Sequence, residues 1–334
     1  SFTRRTGVAI DIHKPLEPIF MDARDVTFPF TPGALRGGTH AHTWSGDGKW
    51  ISFTYNDFII EQLAKKDSKI RDMRTVGIMV PRPVIVDDEN QNQENNSGTM
   101  FSVIVARVTE NPRWGSDEID NAFDETWIGK DGYLRKNGQK QKRAIAFQGN
   151  VKNKEGKTIT EVFVCDLPGD PTRAVPGRPL EGTATTLPNI PESVVQRRIT
   201  RTKYGIEGPR HWLRSTSDGS LIVFLARDSS GIIQIFGVSP NEGSIKQITF
   251  NPFSVQGPFN ISPDDKYIAY HADNSVFITD IFSGKTNSIT RRFDDWERPV
   301  EAPVWSNNGK KIAYVRKVRY PEGDFLQVFL LNKK

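Results

Sequence analysis

Thr216-Ser217-Asp218-Gly219 leads into Ile222-Val223-Phe224, Ser262-Pro263-Asp264-Asp265 into Ile268-Ala269-Tyr270, and Ser306-Asn307-Asn308-Gly309 into Ile312-Ala313-Tyr314. A fourth copy of the phrase, Ser45-Gly46-Asp47-Gly48 before Ile51-Ser52-Phe53, stands far upstream. Each copy is a small polar residue, a tight turn, and then an apolar strand that alternates with period two. An Asp-Gly pair tolerates positive φ, so the phrase reads as the turn between two antiparallel strands. The last three copies recur at roughly 45 residues, the length of a four-stranded propeller blade. Further strands follow each turn, as in Ile232 to Val238 and Val276 to Asp280, and the units close on Arg198-Ile199-Thr200, Gln247-Ile248-Thr249 and Ser288-Ile289-Thr290.

This pattern predicts an all-β chain, a β-propeller of four-stranded blades, six-bladed or part of a larger ring, with residues 1–334 as one domain. A partial unit is expected over residues 7 to 25, and blades near 38, 100, 210, 256 and 300. The partial unit lacks the turn phrase, so one or more blades are expected upstream. Between the first and second phrases a degenerate blade is expected, with strands near Phe101 to Val108, Arg143 to Gly149 and Thr160 to Leu167. Helical spacing is confined to Asp117–Trp127, where Ser116-Asp117-Glu118 resembles an N-cap with acidic first-turn residues; a short helix with a solvated acidic face is predicted there. Residues 87–98 and 168–191 read as surface loops, the first polar and the second rich in Pro, Gly and Thr.

The chain has 334 residues, with 36% hydrophobic, 25% charged, and a formal net charge of +5 that is scattered along the sequence. A dispersed excess of that kind argues against a nucleic-acid face. One cysteine, Cys165, excludes a disulfide framework or a multi-cysteine metal site and reads as a core residue of a strand. No apolar run is long enough for a transmembrane helix, so a soluble protein is expected. No Gly-x-Ser-x-Gly elbow or phosphate-binding glycine loop occurs.

Candidate chemistry comes from aligning the four phrases. Five residues before each turn stand His40, His211, Glu301 and Gly257, the last beside Gln256. In a propeller the innermost strands begin at the axis, so these positions are expected at one mouth of the central channel. His42, two residues after His40, joins them if the stretch is extended. Imidazoles with carboxylate or amide oxygens suit a divalent Mn, Zn, Fe or Ni ion. Trp212 is a candidate ligand-binding side chain at the mouth. The competing reading keeps these histidines as hydrogen-bonded structural groups. The aromatics Trp44, Phe53, Phe224, Trp305 and Tyr314, repeated within the phrase, are expected to pack between blades.

Leu35-Arg36-Gly37-Gly38-Thr39-His40-Ala41-His42, Phe53-Thr54-Tyr55-Asn56-Asp57, Gly115-Ser116-Asp117-Glu118-Ile119, Val195-Gln196-Arg197-Arg198 and Pro209-Arg210-His211-Trp212 together resemble the YidR-like bacterial proteins, a TolB-like propeller family, over nearly the whole chain. The resemblance implies the fold and a bacterial, periplasmic or cytoplasmic setting, the periplasm favoured, but no reaction. The histidine set separately resembles that of oligogalacturonide lyases, propellers whose metal is held by histidines and a glutamine. That likeness implies a metal at His40, His42, His211 and Gln256 binding a uronate, with Arg36 or Arg210 as base for β-elimination. Two functions follow: a propeller that binds a saccharide, peptide or protein at its mouth, or a metal-dependent lyase acting on small acidic saccharides.

Overall fold

The computed structural model describes residues 2–87 and 94–332, and the chain divides into two compact units, Ser1–Tyr133 with Gln139–Arg198, and Leu134–Gly138 with Ile199–Lys334. Of the polar stretch expected as a loop over 87–98, residues 88–93 lie outside the described residues.

In the first unit a short antiparallel pair, Val8–Ile10 with Pro18–Phe20, precedes two four-stranded sheets. The first sheet runs β1 (Gly37–Trp44), β2 (Ile51–Asp57), β3 (Thr75–Val80) and β4 (Phe101–Ile104). A short helix, α1 (Phe58–Ala64), follows β2. The second sheet runs β5 (Ile119–Trp127), β6 (Ala144–Lys152), β7 (Thr158–Asp166) and β8 (Val195–Arg198). Neighbours are antiparallel and consecutive in the chain, the up-and-down order of a propeller blade.

The second unit repeats that order in β9 (Arg214–Ser215), β10 (Ile222–Arg227), β11 (Ile233–Val238) and β12 (Lys246–Gln247), and again in β13 (Asn260–Ile261), β14 (Tyr267–Ala272), β15 (Ser275–Asp280) and β16 (Thr286–Ser288). Its last sheet has three strands, β17 (Val300–Trp305), β18 (Lys311–Tyr320) and β19 (Gly323–Asn332). The fold class is therefore the expected β-propeller of up-and-down blades, with five blade sheets among the described residues where a six-bladed ring or part of a larger one was expected.

The phrase that revealed the blades is the same turn each time. The leading hydroxyl donates to the side chain two residues on: Ser45 Oγ to Asp47 at 2.6 Å, Thr216 Oγ1 to Asp218 at 2.7 Å, Ser262 Oγ to Asp264 at 2.5 Å and Ser306 Oγ to Asn308 at 2.8 Å. The turn then passes through positive φ at Gly48, Gly219, Asp265 and Gly309. Glycine adopts that region without steric cost, which is why three of the four copies carry it.

Strands buried on both faces follow the first three turns, whereas β18, after the fourth, is largely half-buried or exposed. Phe53, Phe147, Phe163 and Phe224 are fully buried, each contributing on the order of 2–3 kcal/mol of hydrophobic stabilisation. Tyr314 and Trp305 are buried as expected for blade packing, but Trp44 is exposed, at the end of a strand whose last three residues face solvent. Cys165 lies in the core on β7, its thiol donating to the Val105 carbonyl at 3.2 Å, and burial pushes its pKa up.

Two expectations are corrected. Phe101 to Ile104 closes the first sheet, and the first strand of the second sheet is Ile119–Trp127, the stretch read as a helix. The acidic residues misled: Asp120, Asp124 and Glu125 are buried, and Asp124 takes φ +51 where the ladder with β6 slips. A bulge disrupts the period-two pattern and leaves a spacing that mimics a helix.

Candidate functional site

His40 and His42 belong to the first unit; His211, Gln256 and Glu301 belong to the second.

In the first unit, His40 pairs across the ladder with Thr54, and its ring lies 5.4 Å from that of Phe2. The expectation that His42 shares its face fails at Ala41, which takes φ +60 as the register slips between His40 and Thr43. The stretch is not extended, so alternation does not carry the second imidazole to the first. His42 Nε2 instead meets Thr39 Oγ1 at 2.9 Å, and that hydroxyl donates to buried Asp22 at 3.0 Å. Asp22 also accepts the Gly7 N–H at 2.6 Å. Burial raises its pKa to about 6, against the pull of those hydrogen bonds.

Arg36 is almost fully buried and forms an ion pair with Asp57, Nε to Oδ2 at 2.8 Å. Its two terminal nitrogens donate to the carbonyls of Thr183 and Thr186, and its guanidinium stands 4.9 Å from the centre of the Phe30 ring. Asp57 is equally engaged. It accepts Tyr55 Oη at 2.9 Å and, as the N-cap of α1, the Ile60 N–H at 2.9 Å. The pair joins a blade strand, a helix start and the 183–186 turn, and a guanidinium so enclosed is placed to hold the loop rather than to meet a substrate.

In the second unit both nitrogens of His211 are engaged. Nδ1 donates to the Pro209 carbonyl at 2.9 Å, and Nε2 accepts the Leu225 N–H at 3.2 Å. Those partners define a neutral imidazole with its proton on Nδ1 and its one lone pair already spent. Burial, opposed by the Pro209 bond, lowers its pKa to about 4. Gln256 is closed onto Asn274, accepting its backbone N–H at 2.8 Å and donating to its side-chain oxygen at 3.0 Å. Glu301 is exposed and takes φ +60. Arg210 lies over the ring of Trp212, 4.7 Å from its centre. Within either unit, among the described residues, no three His, Cys, Asp or Glu side chains stand close enough to hold one ion.

Two residues passed over in the sequence matter here. His271 is buried, and among the described residues neither of its ring nitrogens has a hydrogen-bond partner; a Cβ on Gly257 would lie 3.8 Å from its Nδ1 and 3.9 Å from the Glu301 carbonyl. Two of the positions aligned on the turn, 257 and 301, thus lie close together, the first of them against an imidazole whose pKa burial lowers to about 4. Glu125, assigned to a solvated helix, is buried with Oε2 accepting Thr54 Oγ1 at 2.9 Å, and burial raises its pKa to about 7. A buried carboxyl on a strand that pairs imperfectly leaves no period-two signal, so only recognition of the bulge would have exposed it.

Comparison with known proteins agrees with this architecture. A family model described as a protein of unknown function, DUF3748, matches residues 1–95. Against the Escherichia coli (strain K12) protein described as "Uncharacterized protein YidR", the chain is 35% identical over 322 residues, covering 94% of this chain and 72% of the relative. The chain belongs to the YidR family. Among solved structures, TolB from Acinetobacter baumannii aligns with 98% of the chain at 17% identity and a TM-score of 0.45, and the chain spans 58% of that protein. A puromycin hydrolase structure aligns with 98% of the chain at 10% identity and a TM-score of 0.50, the chain spanning 40% of it. At 10% identity the likeness to the hydrolase structure concerns the fold alone. No helix among the described residues is long and apolar enough to cross a membrane.

Proposed function

We propose that this YidR-family propeller is a binding module that recognises a peptide or protein segment and performs no reaction on it. The observation that carries the reading is the state of His211. Its only lone pair accepts a backbone N–H of the blade core and its proton is given to a carbonyl, so it serves the sheet as a structural group. Gln256 is closed in the same way onto Asn274, and Arg36 onto Asp57 and the 183–186 turn. Two of the residues that the lyase reading needs as metal ligands, His211 and Gln256, and one of its two candidate bases, Arg36, thus have their polar atoms engaged within the fold. The bulge at Ala41 removes the paired geometry of His40 and His42. The propeller supplies rigid sheets with variable connections, a frame suited to recognition.

The test is incubation with oligogalacturonate in the presence of Mn²⁺ or Zn²⁺. Absence of unsaturated product is expected. Product that forms in the parent and is lost in His211→Ala would contradict the binding reading and restore the lyase.

A further inference from the structure

The first unit contains a cavity of about 650 Å³ that none of the aligned histidines touches. Its apolar floor includes Ile60 on α1, Ile104 on β4, and Ile190 and Val194 on the segment leading into β8. One wall is the connection around Leu187 to Pro191, anchored at Thr183 and Thr186 by Arg36, while Asp57, the ion-pair partner of Arg36, caps the helix that brings Ile60. The buried Arg36–Asp57 pair therefore sets two walls at once.

The polar rim is unbalanced. Arg71, Arg107 and Arg178 line the cavity against one carboxylate, Glu110. Arg71 is occupied, donating to the Glu110 carbonyl at 3.2 Å and lying 3.5 Å from Asp120. Among the described residues neither Arg107 nor Arg178 has a side-chain hydrogen bond, an ion pair or a ring contact, although the backbone of Arg107 is held by Gln196, whose Oε1 accepts its N–H at 2.7 Å. Two planar guanidinium groups with unspent donors over an apolar floor select a ligand with a carboxylate at one end and apolar bulk behind it. A saccharide would leave hydroxyls unpaired against isoleucine and valine.

The wall identifies the bulk. The N–H and C=O groups of Leu187, Asn189 and Ile190 make no hydrogen bond among the described residues, and no regular strand takes them up. Unpaired main-chain donors and acceptors beside a cavity suit a second main chain. We infer that this cavity binds the C-terminal end of an apolar peptide, its carboxylate held by Arg107 and Arg178 and its backbone laid along Leu187 to Ile190. The inference rests on the binding-module reading and names the ligand class and the site.

Calorimetric titration of the chain with N-acetyl-leucyl-leucyl-phenylalanine tests it, set beside the C-terminal amide of the same peptide and decanoate. The acid is expected to bind, with affinity lowered about tenfold or more by amidation and by the double variant Arg107→Gln, Arg178→Gln, and with decanoate weaker than the peptide. Both arginines are exposed, so the variant is expected to fold, which circular dichroism checks. No binding of the acid, equal binding of the amide, or unchanged binding by the double variant would overturn the site. Decanoate binding as tightly as the peptide would overturn the peptide as occupant. Turnover of the peptide during titration would instead contradict the non-catalytic reading while leaving the site intact.

Discussion

The two compact units use one building block but elaborate it differently. The second unit repeats the plain blade at near-constant period, with short connections and buried histidines held neutral. The first interrupts the same meander within its sheets with long connections before β3, β4, β6 and β8, and its buried groups include acids and guanidinium groups, among them Asp22, Glu125, Asp57, Arg24 and Arg36. Regular repetition solves only the problem of building sheets. The irregular unit has to anchor long loops, and it does so with buried polar side chains, from which a cavity with two arginines of unspent donors results.

The largest expected effect falls on that anchor. Arg36→Ala leaves the Asp57 carboxylate buried opposite no cation and frees the 183–186 turn, so a loss of about 3–5 kcal/mol is expected in urea denaturation followed by tryptophan fluorescence. Arg36→Lys recovers little of it, since an ammonium cannot reach the carboxylate and two carbonyls in one plane. A loss within the range of exposed substitutions would mean that the two units are held by the same forces.

Next in size is pH dependence, which should have opposite sign in the two units. His271 is held neutral to about pH 4, whereas an unfolded histidine protonates near its ordinary 6.5. The unfolded chain binds more protons between those values, and stability is lost as pH falls through them, by about 3 kcal/mol for one group. Glu125 keeps its proton to about pH 7, against an ordinary 4.5. There the folded chain binds more protons, and stability is lost as pH rises from 4.5 to 7, again by about 3 kcal/mol. The melting temperature of His271→Leu relative to the parent should therefore climb as pH falls from 6.5 to 4, and that of Glu125→Gln should climb as pH rises from 4.5 to 7. Parallel profiles for the two variants would erase the contrast.

The smallest effect is in the shared turn. Asp218→Ala removes the acceptor of Thr216 Oγ1 and of the Ser220 N–H, and about 1 kcal/mol should be lost in the same denaturation assay. A much larger loss would make the turn, rather than the strands it joins, the source of blade stability.

Legibility in the sequence followed the same division. The blades of the second unit could be read because hydroxyl, Asp or Asn, a Gly or Asp at positive φ, and an alternating strand recur at one spacing, and each of those residues has a local physical role in the turn. The first unit could be read only in its turn at Ser45 and in the core strands of its second sheet, because the bulges at Ala41 and Asp124 shift alternation by one residue and lend strand β5 a helical look. The candidate site was legible as residue types at equivalent positions, but not as chemistry. Nothing in the letters of His211 or Gln256 shows that Leu225 and Asn274 occupy their polar atoms, since those partners are fixed by the folded backbone. Likewise Arg36 reads as a reactive cation until all three of its nitrogens are seen to be engaged, whereas Arg107 and Arg178 stand in no motif at all.

The contrast between the units is tested most directly by a crystal structure of the chain with N-acetyl-leucyl-leucyl-phenylalanine. The peptide carboxylate is expected between the guanidinium groups of Arg107 and Arg178, with the main chain hydrogen-bonded to Leu187 to Ile190. A peptide seated against His211 and Gln256, with the first-unit cavity empty, would contradict that placement and the binding role built on it.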